Sequence, residues 1–482
     1  MVLYFKTAPV HAGEAALWGS VAVWPTLFVT FTAQIFGFCY RQTGLMRIML
    51  DSIGSLFPKH EVEGRAFALL SPISGVFANF EGRAAYPVIV PGLVELGYSP
   101  VQASAAALVF MTWVMPFASF MIGAIIANMA THVPIPVIAV AVGQFAIPQI
   151  FLCTYATFKI LGFKFFTRES QAMYWVTTLP YVVAIFLFTE IRPQYYALGL
   201  IVGALLNIAC LYLYGSLSKR RSGEGRRVGS QPIPASLSAA ANPAASATGE
   251  LSWSLILRGW GPLFVGFAYA AFMFSSWGKD ILSHLAFNVT AWGFKPVDVN
   301  LFNTPGMPIL IGAFSAYLFR TQPANLIHDV GVGLHRGVSP MLTFMLGAAV
   351  MYLLVDTKQI DFLGSLLSSG GVNLFKLLDS ALVVFGGTIF GSGTPTIFTF
   401  STMQLPAVTK FGLPLTLLLG LVVVGGIGVT NACKPPNVRF VAALVGIKGG
   451  QDWEVFTIGM KWVVWQIVLF TALTFVLIPF WQ

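Results

Sequence analysis

Long apolar runs separated by short polar turns set the pattern of this chain. Runs at 16–38, 101–127, 135–158, 174–190 and 194–214 are each long enough for one helical crossing of a bilayer. A second set lies near 253–275, 305–320, 338–355, 413–431 and 455–480. Segments alternating apolar and polar residues at barrel-strand length are absent, so the expected fold class is all-α, a polytopic helical membrane bundle of about 10–12 transmembrane segments.

Three apolar stretches are interrupted rather than continuous. Residues 64–97 are broken at Glu81-Gly82-Arg83, residues 374–409 at "GSGTP", and a short apolar piece, 436–447, follows "KPPN". Residues 279–294 and 323–336 read as amphipathic, interfacial segments. Between the two sets of runs lies 215–252, rich in Ser, Ala, Gly and Pro, which cannot bury a core and is expected to be a disordered cytoplasmic connector. The chain therefore divides into an N-terminal transmembrane half, 1–214 with hairpin 64–97, and a C-terminal half, 253–482 with hairpin 374–409.

The halves repeat one plan. In the first, a broken hairpin ends in "ELGYSP" and the next span meets Pro116 sixteen residues after Pro100. In the second, the hairpin ends in "KFGLP" and the next span reaches Thr430-Asn431, Thr430 lying sixteen residues after Pro414. Matched interruptions in two halves are the sequence mark of an inverted-repeat transporter whose binding site lies at the breaks. Lysine and arginine set the orientation. The connector carries Lys219, Arg220, Arg221, Arg226 and Arg227 and should be cytoplasmic; counting back puts Lys159, Lys164 and Arg168 on the same side. Arg41, Arg47, Lys59 and Arg65 join them only if 64–97 enters and returns, which favours a re-entrant hairpin there. The same counting brings 374–409 in from the opposite face, although Lys376 and Lys410 then lie outside.

Composition agrees with a membrane solvent. The chain has 482 residues, 56% hydrophobic and only 9% charged, with a mean hydropathy of +0.78; a soluble domain carries roughly 25% charged residues. The net charge of +9 lies mostly between apolar runs and does not point to nucleic acid. No cleavable signal peptide is evident, so the first span is expected to direct its own insertion. Cys39, Cys153, Cys210 and Cys433 have no metal-type spacing and read as small core residues, and His328 and His335 as solvated ones. No phosphate-binding loop, no helical histidine pair and no serine–histidine–acid set stands out, so neither cofactor nor metal is expected and the chain reads as no enzyme.

The interruptions hold the candidate chemistry. Glu81 and Arg83 are ionisable groups within a span, which cost at least about 2.5–3.5 kcal/mol each and commonly mark a pathway. They form either an ion pair pinning the turn, or a site where Arg83 holds a carboxylate and Glu81 carries a proton. In "GSGTPTIFTF", Gly391 and Gly393 permit a turn, Pro395 suits the first turn of a half-helix, and Ser392, Thr394 and Thr396 bring hydroxyls to an N-terminus that favours anions. The alternative is a hydroxyl-lined kink. "GVTNACKPPNVRF" adds Asn431, Lys434, Asn437 and Arg439; the amides and cations could bind an anion, or the cations could snorkel and set topology. Thr112, Trp113 and Pro116 of "FMTWVMPFAS" form the corresponding break of the first half.

"ANFEGRAAYPV", "LGYSP", "VFMTWVMPFAS", "FGSGTPTIFTF" and "GGIGVTNACKPPNVRFVAALVGIKGGQDWEVF" together resemble the L-lactate permease family of bacterial proton-coupled carriers for lactate and glycolate. The resemblance runs across most of the chain. It implies that the family glutamate corresponds to Glu81 and its serine and threonine to Ser392 and Thr394. The chain departs where the family has Asp, which is Gly393 here, in the extra charge of Arg83, in the rearranged Lys434-Pro435-Pro436, and in starting short of the family's first helices. The expectation is a multi-pass carrier of the inner (plasma) membrane. It would move a small monocarboxylate such as L-lactate or glycolate with a proton, with Glu81 as proton carrier. Ser392, Thr394, Thr396, Gly391, Gly393, Arg83, Asn431 and Asn437 would hold the carboxylate. Its partners would be that anion, the proton and the lipid bilayer, with homo-oligomerisation left open. The alternatives are a sodium-coupled carrier of another organic anion and an intramembrane enzyme.

Overall fold

A computed structural model describes residues 8–54, 57, 61–80, 82–83, 85–221, 252–294, 296–391, 393–447 and 450–481. The helices of the first half are α1 (Pro9–Ala22), α2 (Trp24–Gln42), α3 (Leu45–Gly54), α4 (Val62–Phe80), α5 (Tyr86–Glu95), α6 (Pro100–Val114), α7 (Ala118–Thr131), α8 (Ile135–Ile160), α9 (Arg168–Phe186) and α10 (Gly199–Arg221). The second half contains α11 (Trp253–Phe274), α12 (Ser276–Ser283), α13 (Gly306–Phe319), α14 (Leu326–Asp356), α15 (Gln359–Ser369), α16 (Val372–Phe390), α17 (Gly393–Met403), α18 (Leu405–Phe411), α19 (Leu415–Val423), α20 (Pro435–Leu444) and α21 (Asp452–Trp481). One two-stranded antiparallel ribbon, β1 (Phe287–Val289) and β2 (Val297–Val299), is the only sheet among the described residues. The molecule is all-α. Among the described residues eight helical segments are long and apolar enough to cross a membrane, and nine if the bent pair Pro9–Ala22 and Leu27–Gln42 is one span.

The ten expected runs fall on helices, but 16–38 is split into α1 and α2 with a bend of 43°, and α13 is only 14 residues long. Val372–Phe390, expected as one arm of a hairpin, is itself long and apolar enough to cross a membrane. Residues 323–336 are not a separate segment: most of them form the start of α14, whose 31 residues also contain the run 338–355. Within 279–294, α12 ends at Ser283 and the chain turns into β1, leaving Phe287 and Trp292 exposed. The helix α10 continues to Arg221, past the expected start of the connector at 215; residues 222–251 lie outside the described residues.

The core follows from which helices are surrounded. In the span Pro100–Thr131, 94% of the most apolar window is buried inside the protein, and in Leu415–Ala432 83%, against 28% in α21. The first two therefore form the centre, and α21 keeps much of its surface for lipid. The start of α6 is fixed by sequence. Ser99 accepts a hydrogen bond from the Gln102 amide N–H at 3.2 Å, its own N–H donates to Gln102 Oε1 at 3.3 Å, and Pro100 occupies the first helical position. Around this centre α2 packs on α13 and α14, α9 on α10, and α8 on α6 and α19.

Both halves contain one series of elements. A 19-residue helix, α4 or α16, is followed by a turn and a shorter helix, α5 of ten residues or α17 of 11. A span that breaks before its end comes next: α6 into α7, and α19 into α20.

Candidate functional site

The first central span breaks where Pro116 removes a backbone donor. The α-helix gives way at Met115–Phe117 to a 3-10 turn. Ser119, Phe120 and Met121 then follow with φ of 48°, 56° and 61°. A left-handed conformation costs an L-residue about 1–2 kcal/mol. Three successive non-glycine residues hold it here, all of them buried. Such strain persists only where the surrounding structure imposes it. The second central span opens into a π-turn at Val424–Gly428 and a 3-10 turn at Val429–Ala432 before Pro435 and Pro436 start α20.

These interruptions meet. A Cβ on Gly428 would stand 2.6 Å from the carbonyl oxygen of Thr112 and 3.0 Å from the Pro116 ring, so the two broken spans touch backbone to backbone. The turns that follow α4 and α16 each rest on a nearby break. Gly82 faces Met115 and Ala118, and Gly393 lies so close to Ile427 that any side chain there would overlap it. Gly391 ends α16 with φ +63°, a conformation glycine adopts without cost. Broken backbone at membrane depth survives where protein satisfies its polar groups. Here Thr430 Oγ1 donates to the Gly426 carbonyl at 2.7 Å and Lys434 Nζ to the same oxygen at 3.3 Å.

The polar side chains at the crossing divide into pins and free groups. Asn431 Nδ2 donates to Tyr86 Oη at 2.5 Å and to the Leu108 carbonyl at 3.3 Å, while its Oδ1 accepts from Asn437 Nδ2 at 2.7 Å. That residue ties the second break to α5 and α6, and both of its amide protons are used. Asn437 Oδ1 is buried and has no donor. Lys434 is only 4% exposed, and the positive charge of the half-buried Arg83 bears on it. Among the described residues no carboxylate forms an ion pair with either cation. A buried cation without a counter-charge costs several kcal/mol, and here a second cation adds repulsion. The positive end of the α20 dipole points the same way.

Of the expected site residues, Asn431 and Asn437 flank Lys434 at the second break, Arg83 lies half-buried in the turn after α4, and Gly391, Gly393, Thr394 and Thr396 form the turn after α16 and the start of α17. Thr394 and Thr396 are buried; the Thr396 methyl packs toward Gly387 and Gly426. Glu81 and Ser392 lie outside the described residues. The two cations after Asn431 part company: Lys434 is buried and Arg439 exposed. Trp113 is buried edge-on to Tyr181 at 4.7 Å, with no partner for its indole N–H among the described residues. Two fully buried polar residues escaped sequence reasoning. Asp379 in α16 carried the signal of an acid inside an apolar run, "KLLDSALVVF", and Asn79 lies two residues before Glu81.

Two solved structures similar in fold are transporters by their descriptions. They are the YdaH transporter of Alcanivorax borkumensis, with 12% identity, TM-score 0.48, 94% of this chain and 85% of that chain covered, and MtrF of Neisseria gonorrhoeae, described as illuminating a class of antimetabolite efflux pumps, with 11% identity, TM-score 0.48, 97% and 84% covered. No individual curated protein matches the chain. A model of the L-lactate permease family matches residues 1–480, so the chain belongs to that family.

Proposed function

We propose that this integral membrane transporter carries a small 2-hydroxymonocarboxylate such as L-lactate or glycolate together with a proton across the inner membrane. One observation supports the anion most: Lys434 is buried beside the second break with no carboxylate partner among the described residues. A bound carboxylate supplies the missing charge, with Arg83 suited to a planar two-oxygen contact and Lys434 acting as a point charge. Asn437 Oδ1, buried without a donor, suits the 2-hydroxyl of the substrate. Thr394 and Thr396 with the α17 N-terminus, and Ser392 by its place in the sequence, complete the carboxylate cradle. Asn431 holds these groups in place rather than donating to the substrate, because its protons are spent on Tyr86 and Leu108.

Glu81 is the proton carrier in this reading, on the strength of its position inside an apolar hairpin. The two hairpins would enter from opposite faces and the halves rock about the fixed crossing. Uptake of labelled L-lactate into proteoliposomes under an imposed inward acid gradient tests the reading. Accumulation should require the gradient in the wild type and lose its pH dependence in Glu81→Gln. A sodium requirement with no pH dependence would overturn proton coupling, and turnover of substrate without any gradient would replace the carrier by an enzyme.

A further inference from the structure

A second carboxyl group lies inside the protein, on a helix that packs against the second broken span. Asp379 is 0% exposed, on the first helix of the second hairpin, twelve residues before the turn at Gly391. At 1.5 Å per helical residue that is about 18 Å along the helix from Gly391. One turn after Asp379 comes Val383, which a Cβ on Gly425 of the second broken span would meet at 3.0 Å. Gln404, also 0% exposed and situated between α17 and α18, donates from Nε2 to Asp379 Oδ2 at 2.7 Å. The other two polar atoms of this pair, Asp379 Oδ1 and Gln404 Oε1, are buried and have no partner among the described residues. Both are oxygens, and two oxygens share a hydrogen bond only if one of them carries a proton.

Among the described residues no cation forms an ion pair with a carboxylate at this position. The elements packed against α16 are α15, α17, α18, α19, the turns at Val424–Gly428 and Val429–Ala432, and α21. Their charged residues are engaged elsewhere. On α16 itself Lys376 lies over the Phe475 ring at 5.8 Å, and on α18 Lys410 donates to the Ser368 carbonyl at 3.0 Å. Lys434 reaches Gly426. On α21 Asp452 accepts from the Gly450 and Trp453 amides, and Glu454 and Lys461 are exposed; Asp361 of α15 is outside the described side chains. Among the described residues Gln404 supplies the one side-chain hydrogen bond to the Asp379 carboxyl. The neighbouring Ser380 hydroxyl is taken by Thr471 at 2.5 Å.

We propose that Asp379 is a proton-binding site of this carrier, protonated in the present conformation and closed with Gln404 into a two-bonded acid–amide ring. The proton resides on Oδ1 and is donated to Gln404 Oε1, while Gln404 Nε2 donates to Oδ2. All four polar atoms are then satisfied. The ring clasps the outgoing helix of the hairpin to the end of its returning helix. Loss of the proton leaves a carboxylate with a single neutral donor in a dry site, which costs several kcal/mol and is relieved when the helices part and water enters. Proton release is thereby linked to movement of the second hairpin, and the two acids Asp379 and Glu81 lie on different hairpins. This deepens the proton-coupled reading and depends on it only for the flux measurement.

Infrared difference spectra of the purified full chain in lipid, recorded across neutral pH, test the protonation state without any substrate. The wild type should show a hydrogen-bonded carboxylic-acid C=O band that Asp379→Asn removes and Gln404→Leu moves to higher frequency. Absence of a band assignable by Asp379→Asn at neutral pH would overturn the proposal. In proteoliposomes, Asp379→Asn rebuilds the ring as an amide–amide pair and should fold normally. Its acid-driven accumulation should fall at least tenfold, while exchange of labelled for unlabelled L-lactate falls far less. Undiminished acid-driven accumulation in that variant would equally overturn it. If the wild type moves no carboxylate at all, the transport reading fails and the infrared result still decides the state of Asp379.

Discussion

Gly428→Ala places one methyl group between the two broken spans and so probes the crossing itself. The added carbon would lie 2.6 Å from the Thr112 carbonyl oxygen, against an ordinary contact of 3.4 Å or more, and 3.0–3.1 Å from the Pro116 ring. The obstacles are backbone and a rigid ring, so they cannot rotate away; one span must shift by about 0.8 Å. Overpacking of this kind costs about 1–3 kcal/mol. If the strain falls on the conformation that binds and moves substrate, uptake should drop by about 5- to 150-fold, at roughly tenfold per 1.4 kcal/mol. The melting temperature in detergent should fall as well. Gly331→Ala is the control, because a Cβ there meets nothing within 4 Å and α14 continues undisturbed. Thermal-shift fluorimetry and initial rates of labelled L-lactate uptake, on the two variants side by side, decide the matter. Identical behaviour of Gly428→Ala and Gly331→Ala in both assays would refute the contact between the breaks.

Other perturbations separate pins from ligands. Asn431→Ala removes the ties to Tyr86, Leu108 and Asn437, and should destabilise the protein by about 1–3 kcal/mol in chemical or thermal unfolding. An unchanged unfolding midpoint would contradict its role as a pin. Gly391 is left-handed but uncrowded, its nearest contact for a Cβ being Pro436 at 3.5 Å, so Gly391→Asn should be tolerated and Gly391→Val should lose about 1–2 kcal/mol. Equal melting temperatures for those two variants would contradict the backbone assignment. Arg439→Gln, at an exposed position, should leave the rate of uptake within about twofold of wild type; a loss of tenfold or more would place Arg439 in the pathway.

Much of the architecture is legible in the pattern of the chain, because a lipid solvent forces every crossing to be helical and apolar. The ten expected runs fall on helices, and the breaks at "EGR", "GSGTP" and "CKPPN" are interruptions in the structure too. Sequence does not reveal how the interruptions touch. The contact of Gly428 with Thr112 joins residues more than 300 positions apart, and no local propensity encodes it. The left-handed turn at Ser119–Met121 is equally hidden, since those residues would ordinarily continue a helix and are held out of it by their surroundings. Asn431 and Lys434 stood together as candidate ligands in the sequence; only geometry separates a saturated amide from a buried cation lacking a counter-ion. Asp379 was visible as an acid in an apolar run, but attention to the helix breaks drew the reading past it.

Equilibrium binding of labelled L-lactate to the detergent-purified protein, wild type against Lys434→Met, bears most directly on the anion site. Methionine fills similar volume without charge, so the fold should persist. Affinity should weaken by about 10- to 150-fold, the equivalent of a lost charge-assisted hydrogen bond of about 1.5–3 kcal/mol. Unaltered affinity in a folded Lys434→Met protein would show that the crossing of the broken spans is not where the carboxylate is held.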